Sequence, residues 1–314
     1  MQLTTPIAIT PSDKPIGYGS NVVLLGSCFA VNMADKFDYF QFRHTVNPFG
    51  ILFHPLTIER LVERALAPRD FVEAEVFFHN ERWHFFDAHS ELSHPDKAQL
   101  LAALDTAVAQ TRDALQTATH IVVTYGTAWV YRHLETGRVV ANCHKVPQRE
   151  FTKELLSVSG IVESVENTLA MVAQINPSAT VVFTVSPVRH LKDGLVENQR
   201  SKAHLIAALH EVLDGSHHHY FPAFEIMMDE LRDYRFYATD WIHPNQTAIE
   251  YIWEKFAGAW IDPAAQAVMD RVDSIRKRTA HRPFNPESES HRKFLGQLQS
   301  DIAQLQSQCP HMRF

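Results

Sequence analysis

Three side chains in this 314-residue chain have the types needed for covalent acyl chemistry: Ser27 in Gly26-Ser27-Cys28-Phe29-Ala30, and Asp240 and His243 in Asp240-Trp241-Ile242-His243-Pro244. A serine hydroxyl is barely nucleophilic at neutral pH, and an imidazole that takes its proton, itself oriented by a carboxylate, is the common remedy. Asp and His three residues apart, ahead of the helix-like run from Gln246 to Phe256, fit on one side of a turn. The carboxylate then reaches the ring nitrogen that faces away from the nucleophile. Ser27 taken alone has two readings, because serine is also a common N-cap that satisfies an orphan amide of a first helical turn. Cys28 is intrinsically the better nucleophile, but at the first helical position it is expected to face the core as an inert thiol.

The elements that must position these groups follow from the apolar patterning. Val22 to Leu25 reads as a strand buried on both faces, and Phe29 to Phe37 places apolar groups at helical spacing, which leaves Ser27 at the turn between them. In an open parallel sheet the carboxyl ends of the strands form the ligand crevice, and the free amides of a helix N-terminus there favour developing negative charge. Phe42 to Val46 reads as a second strand ending at Asn47-Pro48-Phe49-Gly50, a loop on the same crevice. A helix over Lys97 to Thr117 leads to a third strand, His120 to Tyr125, which ends in Gly126-Thr127-Ala128-Trp129. Phe151 to Ile175 reads as one long amphipathic helix, Thr180 to Val185 as a fourth strand, Asn198 to Leu213 as a helix and Tyr220-Phe221 as part of a fifth strand. Alternation on this scale indicates a parallel sheet. The expected organisation is an irregular lead-in over 1–20, an α/β domain over 21–262 and a helical extension over 263–314 that packs on the body or mediates self-association.

Other polar residues fall at strand ends or in connecting loops. Arg189, in Ser186-Pro187-Val188-Arg189-His190, either binds an anionic group or pairs with a structural carboxylate, and His190 is a candidate second acid/base. Asn142 and His144, in Asn142-Cys143-His144-Lys145, either serve the crevice or satisfy a loop backbone. A hairpin inserted at about 75–90 carries Phe77, Phe78, Trp83, Phe85 and Phe86 and, with its flank, His79, His84, His89 and His94. The spacings fit no tetrahedral pattern and no cysteine accompanies them, so the expectation is aromatic cover with no metal. His217-His218-His219 would alternate between the faces of a strand and is read as surface.

Gly26-Ser27-Cys28-Phe29-Ala30 spells the signature of the GSCFA-domain family, and the early Gly-Ser with the late Asp-x-x-His resembles the first and last blocks of the SGNH/GDSL esterase-type hydrolases. Asn47-Pro48-Phe49-Gly50, Tyr125-Gly126-Thr127-Ala128-Trp129, Asn142-Cys143-His144-Lys145 and Ser186-Pro187-Val188-Arg189-His190 extend the likeness over about residues 20 to 255. The resemblance implies a three-layer α/β/α sandwich, SGNH-hydrolase or flavodoxin-like, with a parallel sheet of about five strands, and cofactor-free hydrolysis of an O-acetyl or other short acyl ester. Ser27 would attack, His243 would shuttle the proton and Asp240 would orient it. The oxyanion would be held by the amide of Ser27 or Cys28, the amide of Gly50 and the side chain of Asn47. In GDSL-type enzymes the loop matching Gly126-Thr127-Ala128 commonly reads Gly-x-Asn, so Ala128 removes one donor. An acyltransferase, or a ligand-binding protein with a degenerate site, uses the same fold.

Composition bounds the partners. Hydrophobic residues make up 45% and charged residues 21%, enough for a packed core. Lys and Arg number 29 against 36 Asp and Glu, a net charge of −7 with no long basic run, which argues against nucleic acid. Cys28, Cys143 and Cys309 share no short spacing and read as reduced thiols, and the N-terminus lacks a basic start followed by an apolar core. No stretch is long enough to span a bilayer, so the expectation is a cytoplasmic protein; the small-molecule or glycan ester substrate is what the resemblance implies.

Overall fold

The computed structural model describes residues 5–314, so the first four residues of the expected lead-in lie outside it. In chain order the strands are β1 (Asn21–Gly26), β2 (Arg43–Val46), β3 (Phe77–His79), β4 (Arg82–His84), β5 (His120–Tyr125), β6 (Trp129–His133), β7 (Val139–Val140), β8 (Phe151–Leu155), β9 (Thr180–Val185) and β10 (His218–Phe221). The helices are α1 (Cys28–Tyr39), α2 (Pro55–Leu66), α3 (Lys97–Thr117), α4 (Val158–Ile175), α5 (Leu195–Val212), α6 (Ala223–Glu225), α7 (Gln246–Trp260), α8 (Gln266–Thr279) and α9 (Glu289–Gln308).

Five strands pair in the order β10-β9-β5-β1-β2, all parallel. Period-two alternation divides each strand between two cores. Val23, Leu25, Ile121, Val123, Val181 and Phe183 pack under α2, α3, α4 and α5. Val22, Leu24, Val122, Val182 and Phe221 pack under α1 and α7. The result is the expected three-layer sandwich. The lead-in is irregular but tied down: Ile16 bridges Ile261, and the Lys14 carbonyl meets His120 Nε2 at 2.8 Å.

Two stretches differ from the sequence reading. The run from Phe151 is not one helix: Phe151–Leu155 is strand β8, and α4 starts only at Val158, capped by Ser157, whose Oγ accepts from the Gly160 amide at 3.1 Å. Trp129–His133, which follows the expected Gly126-Thr127-Ala128 loop, is strand β6 and pairs antiparallel with both β7 and β8. Arg132 grips Glu154 across that pair through two bonds of 2.8 and 2.9 Å. The expected hairpin exists as β3–β4, paired antiparallel. The C-terminal extension packs on the body: Val272, Ile275, Leu298, Leu305 and Met312 form a small core that includes Tyr18, and Tyr39 donates to Asp273 at 2.8 Å.

The end of β1 leaves no room for a side chain. Gly26 has φ +132°, and a Cβ there would lie 2.1 Å from the Thr124 carbonyl oxygen of β5. Neither backbone can yield without breaking the β1–β5 ladder. Gly26→Ala is therefore expected to cost about 4 kcal/mol or more, which a urea melt compared with wild type would read; a loss under about 1 kcal/mol would show that the strand ends are free to part.

Candidate active site

In the order β10-β9-β5-β1-β2 the chain leaves β1 towards one side for β2 and towards the other for β5. This reversal is the topological switch point where open α/β sheets bind ligands. The loops facing it are Gly26-Ser27-Cys28 after β1 and Gly126-Thr127 after β5. Asn47, after β2, clamps the turn: its Oδ1 accepts from the Gly26 amide at 2.8 Å and its Nδ2 donates to the Gly26 carbonyl at 3.2 Å.

That clamp changes the expected roles. Asn47 grips the Gly26 peptide instead of standing free as an oxyanion donor. The Gly50 amide donates to the Asn47 carbonyl at 2.7 Å, and the Ser27 amide to the Thr124 carbonyl at 3.0 Å. Of the expected donors, only the Cys28 amide has no acceptor among the described residues. Exposure of the turn is also the reverse of the expectation. Ser27 is the N-cap of α1, 2% exposed, its Oγ accepting from the Phe29 amide at 3.3 Å. Cys28 is partly exposed. A cap folds its side chain over the first-turn amides, and the following residue is left to project. Burial pushes the Cys28 thiol up, opposed by the nearby charge of Lys202 and by the amides of Cys28 and Phe29.

Lys202 is a group that the sequence reading did not single out. It is 0% exposed, and its Nζ donates to the carbonyls of Gly126 at 2.6 Å and Ser186 at 2.7 Å, tying together the ends of β5 and β9. Ser201 beside it accepts from the Ala128 amide at 2.7 Å and bonds the Thr127 hydroxyl at 2.8 Å. The signal was present in α5, where Asn198, Ser201 and Lys202 share the buried face of Leu205, Ala208 and Leu209. Polar residues on the apolar stripe of a helix need partners in the interior.

Asp240 and His243 meet as a pair. Oδ2 of Asp240 lies 2.7 Å from His243 Nδ1, and Oδ1 accepts from the amides of Ile242 at 2.9 Å and His243 at 3.1 Å. The bond to His243, with those amides, holds the Asp240 carboxyl down at about 2. His243 Nε2 has no partner among the described residues, and the ring is about half exposed. The turn is joined to the loop after β9, where the Arg189 amide donates to the Ile242 carbonyl at 3.1 Å and the guanidinium to the Trp241 carbonyl at 3.3 Å. Arg189 also lies 3.9 Å over the Tyr237 ring and has no carboxylate partner among the described residues. His190 is held neutral at about 3 by burial and by the charges of Lys202, His243 and Lys153, which removes it as an acid near neutral pH.

Asn142 and His144 fasten a loop. Asn142 Oδ1 accepts from the His144 amide at 2.9 Å, its Nδ2 donates to Ser90 Oγ at 3.1 Å, and His144 Nε2 bonds the Phe85 carbonyl at 2.7 Å. Both anchor the 142–145 loop to the segment after β4. The aromatic insert stacks on itself, with Phe77 and Phe86 centroids 4.1 Å apart, and among the described residues no group of His, Cys, Asp or Glu is arranged to hold a metal.

The buried lysine makes stability depend on pH. Burial lowers Lys202 from 10.5 to about 7. Below that value both folded and unfolded chains hold the proton; between about 7 and 10.5 the unfolded chain binds it and the folded one does not. Stability therefore rises with pH across that window. Denaturant melts at pH 7 and 9.5 should show wild type gaining about 1 kcal/mol per pH unit over Lys202→Met. Parallel pH profiles would mean that the two carbonyl bonds keep the ammonium charged.

No helix among the described residues is long and apolar enough to cross a membrane. No curated protein matches the chain. The family model described as GSCFA family matches residues 21–256, from the first residue of β1 into α7. A second, described as GSCFA domain protein, C-terminal domain, matches residues 272–314, the α8–α9 tail. Spanning the sheet, the strand-end turn and the Asp-His pair, the first match means that this chain belongs to the GSCFA family.

Proposed function

We propose that the protein cleaves a carboxylic ester, an O-acetyl or other short acyl group, through a nucleophile on the β1–α1 turn, with His243 as base and Asp240 as its orienter. The observation that carries this reading is the 2.7 Å bond from Asp240 Oδ2 to His243 Nδ1, which fixes the ring and leaves Nε2 unpartnered. A carboxylate so placed selects the tautomer and stabilises the imidazolium that forms. The resemblance of the turn and of Asp-x-x-His to SGNH/GDSL hydrolases points the same way. Ser27 Oγ attacks the carbonyl carbon while Nε2 takes its proton. The intermediate collapses, the alcohol leaves with that proton, and water, deprotonated by His243, releases the acid. The uncommitted Cys28 amide suits the oxyanion. Transfer of the acyl group to a sugar hydroxyl needs the same groups.

A second reading keeps the reaction and moves the attack to Cys28. It is favoured by the 2% exposure of Ser27 and its capping bond, set against the more open thiol. The intermediate is then a thioester; burial raises the Cys28 thiol, and the nearby charge of Lys202 opposes that rise.

With an aryl acetate as substrate, His243→Ala is expected to lose nearly all turnover, and Asp240→Asn to lose about a hundredfold or more while keeping the wild-type melting curve. Full activity of Asp240→Asn would remove the orienting role. The nucleophile is read separately. If it is the hydroxyl, Ser27→Ala is inactive and a fluorophosphonate labels wild type. If it is the thiol, Cys28→Ala is inactive, iodoacetamide labels Cys28, and Ser27→Ala costs about 1 kcal/mol of stability as a lost cap.

A further inference from the structure

Beside the strand-end crevice lies a cavity of about 490 Å³, lined by Thr127 and His190 from the strand-end loops and by Trp129, Tyr131 and Lys153 of the β6–β8 sheet. Lys145 lines it from the 142–146 loop, and Lys192 and Asp193 line it from the segment after β9. Histidines apart, its charged residues are three lysines and one aspartate, 3 − 1 = +2, in a chain whose net charge is −7. Such a local reversal of sign gathers anions.

The aspartate is already committed, because Asp193 pairs with Lys153. Lys192 meets only neutral partners, the Tyr131 hydroxyl at 3.0 Å and Gln148 Oε1 at 3.4 Å. Lys145 Nζ has no acceptor among the described residues. Two ammonium groups that form no ion pair among the described residues therefore line one cavity, with the Asp193 charge also felt by Lys192. Aromatic rings flank two of the three lysines: Lys153 lies 5.2 Å from the Trp129 centroid, and Lys192 5.2 Å from that of Tyr131. A cavity of about 310 Å³ lined by Arg60, Arg64, Arg69 and Arg138 makes the contrast. There each arginine is paired with Asp87 or Glu75, whereas Lys145 and Lys192 form no ion pair among the described residues.

We infer that the lysine cavity binds a phosphate group carried by the substrate, on the part of the ester that does not react. Its role as a substrate subsite rests on the acyl-transfer reading; anion binding itself does not. Two ammonium groups on separate flexible stems suit a compact dianion that can accept from several directions. The cavity holds no arginine, so it would bind phosphate through lysine point charges and not through a guanidinium fork. Thr127, in the loop after β5, is common to the cavity and the switch point, so a substrate held here would extend its reacting carbonyl past that loop.

The test is calorimetric titration with inorganic phosphate at low ionic strength, with acetate as the carboxylate comparison. Phosphate is expected to bind in preference to acetate, and the double variant Lys145→Gln/Lys192→Gln to bind it at least about tenfold more weakly. Lys277→Gln, on the distant α8, and His243→Ala should bind as wild type does. Unchanged binding by the double variant, or equal binding of acetate, overturns the site. The kinetic arm compares an aryl acetate bearing a ring phosphate with its neutral parent. A lower KM for the phosphorylated ester, raised about tenfold in the double variant, is expected; equal KM values with phosphate binding intact would assign the cavity to free phosphate and overturn the subsite. If no ester turns over while the double variant loses phosphate, the anion site stands and the acyl-transfer reading fails.

Discussion

The chain can pass from β1 into α1 at this point only because residue 26 has no side chain. Gly26 lies against the Thr124 carbonyl with a φ reserved for glycine, and both its backbone groups are held by one asparagine from the neighbouring strand end. The contact fixes three things at once: the closeness of β1 to β5, the start of the helix at Cys28, and the direction in which the two following side chains leave the backbone. Ser27 then has little choice but to cap the helix. A shift of one residue in this turn would exchange the environments of a hydroxyl and a thiol.

Lys202 does on the other side of the switch point what Asn47 does on this one. Parallel strands end in carbonyls that the next strand does not use, and at the crevice those of Gly126 and Ser186 face inward. The buried amino group of Lys202 can donate to both, which would otherwise cost about 1–3 kcal/mol each. In return its charge is felt by Cys28 and by His190. Structure and electrostatics are coupled through one side chain: the group that keeps the strand ends together also, in its charged form, opposes the effect of burial on Cys28 and adds to the burial that keeps His190 neutral.

The Asp240-His243 pair depends less on the interior. Asp240 binds the amides of its own turn, and Trp241 between them takes a φ of 60°. One tie to the body runs through Arg189, whose amide and guanidinium bond the Ile242 and Trp241 carbonyls, and another through the bridge of Pro244 to buried Tyr237. Arg189 therefore has a mechanical part in aligning the turn with the strand ends, which neither an anion-binding nor an ion-pairing role anticipates.

What the sequence by itself determined was whatever is encoded within one segment. Apolar runs bounded by glycine and asparagine dictated five parallel strands, helical spacing dictated the layers, and Asp-x-x-His ahead of α7 dictated a turn that closes on itself. These depend on periodicity and on bonds between near neighbours, and they hold wherever the segment is placed. The three-stranded β6–β8 sheet escaped because Phe151 to Leu155 can be read with helical or strand period, and only pairing with Trp129 to His133 decides between them. Tertiary structure alone decided which residue of the Ser27-Cys28 pair is open, which expected donors are already engaged, and that a lysine in α5 lies under the site. Exposure and hydrogen-bond commitment belong to partners far away in sequence: Lys202 meets Gly126 across 76 positions, and no local pattern carries that distance.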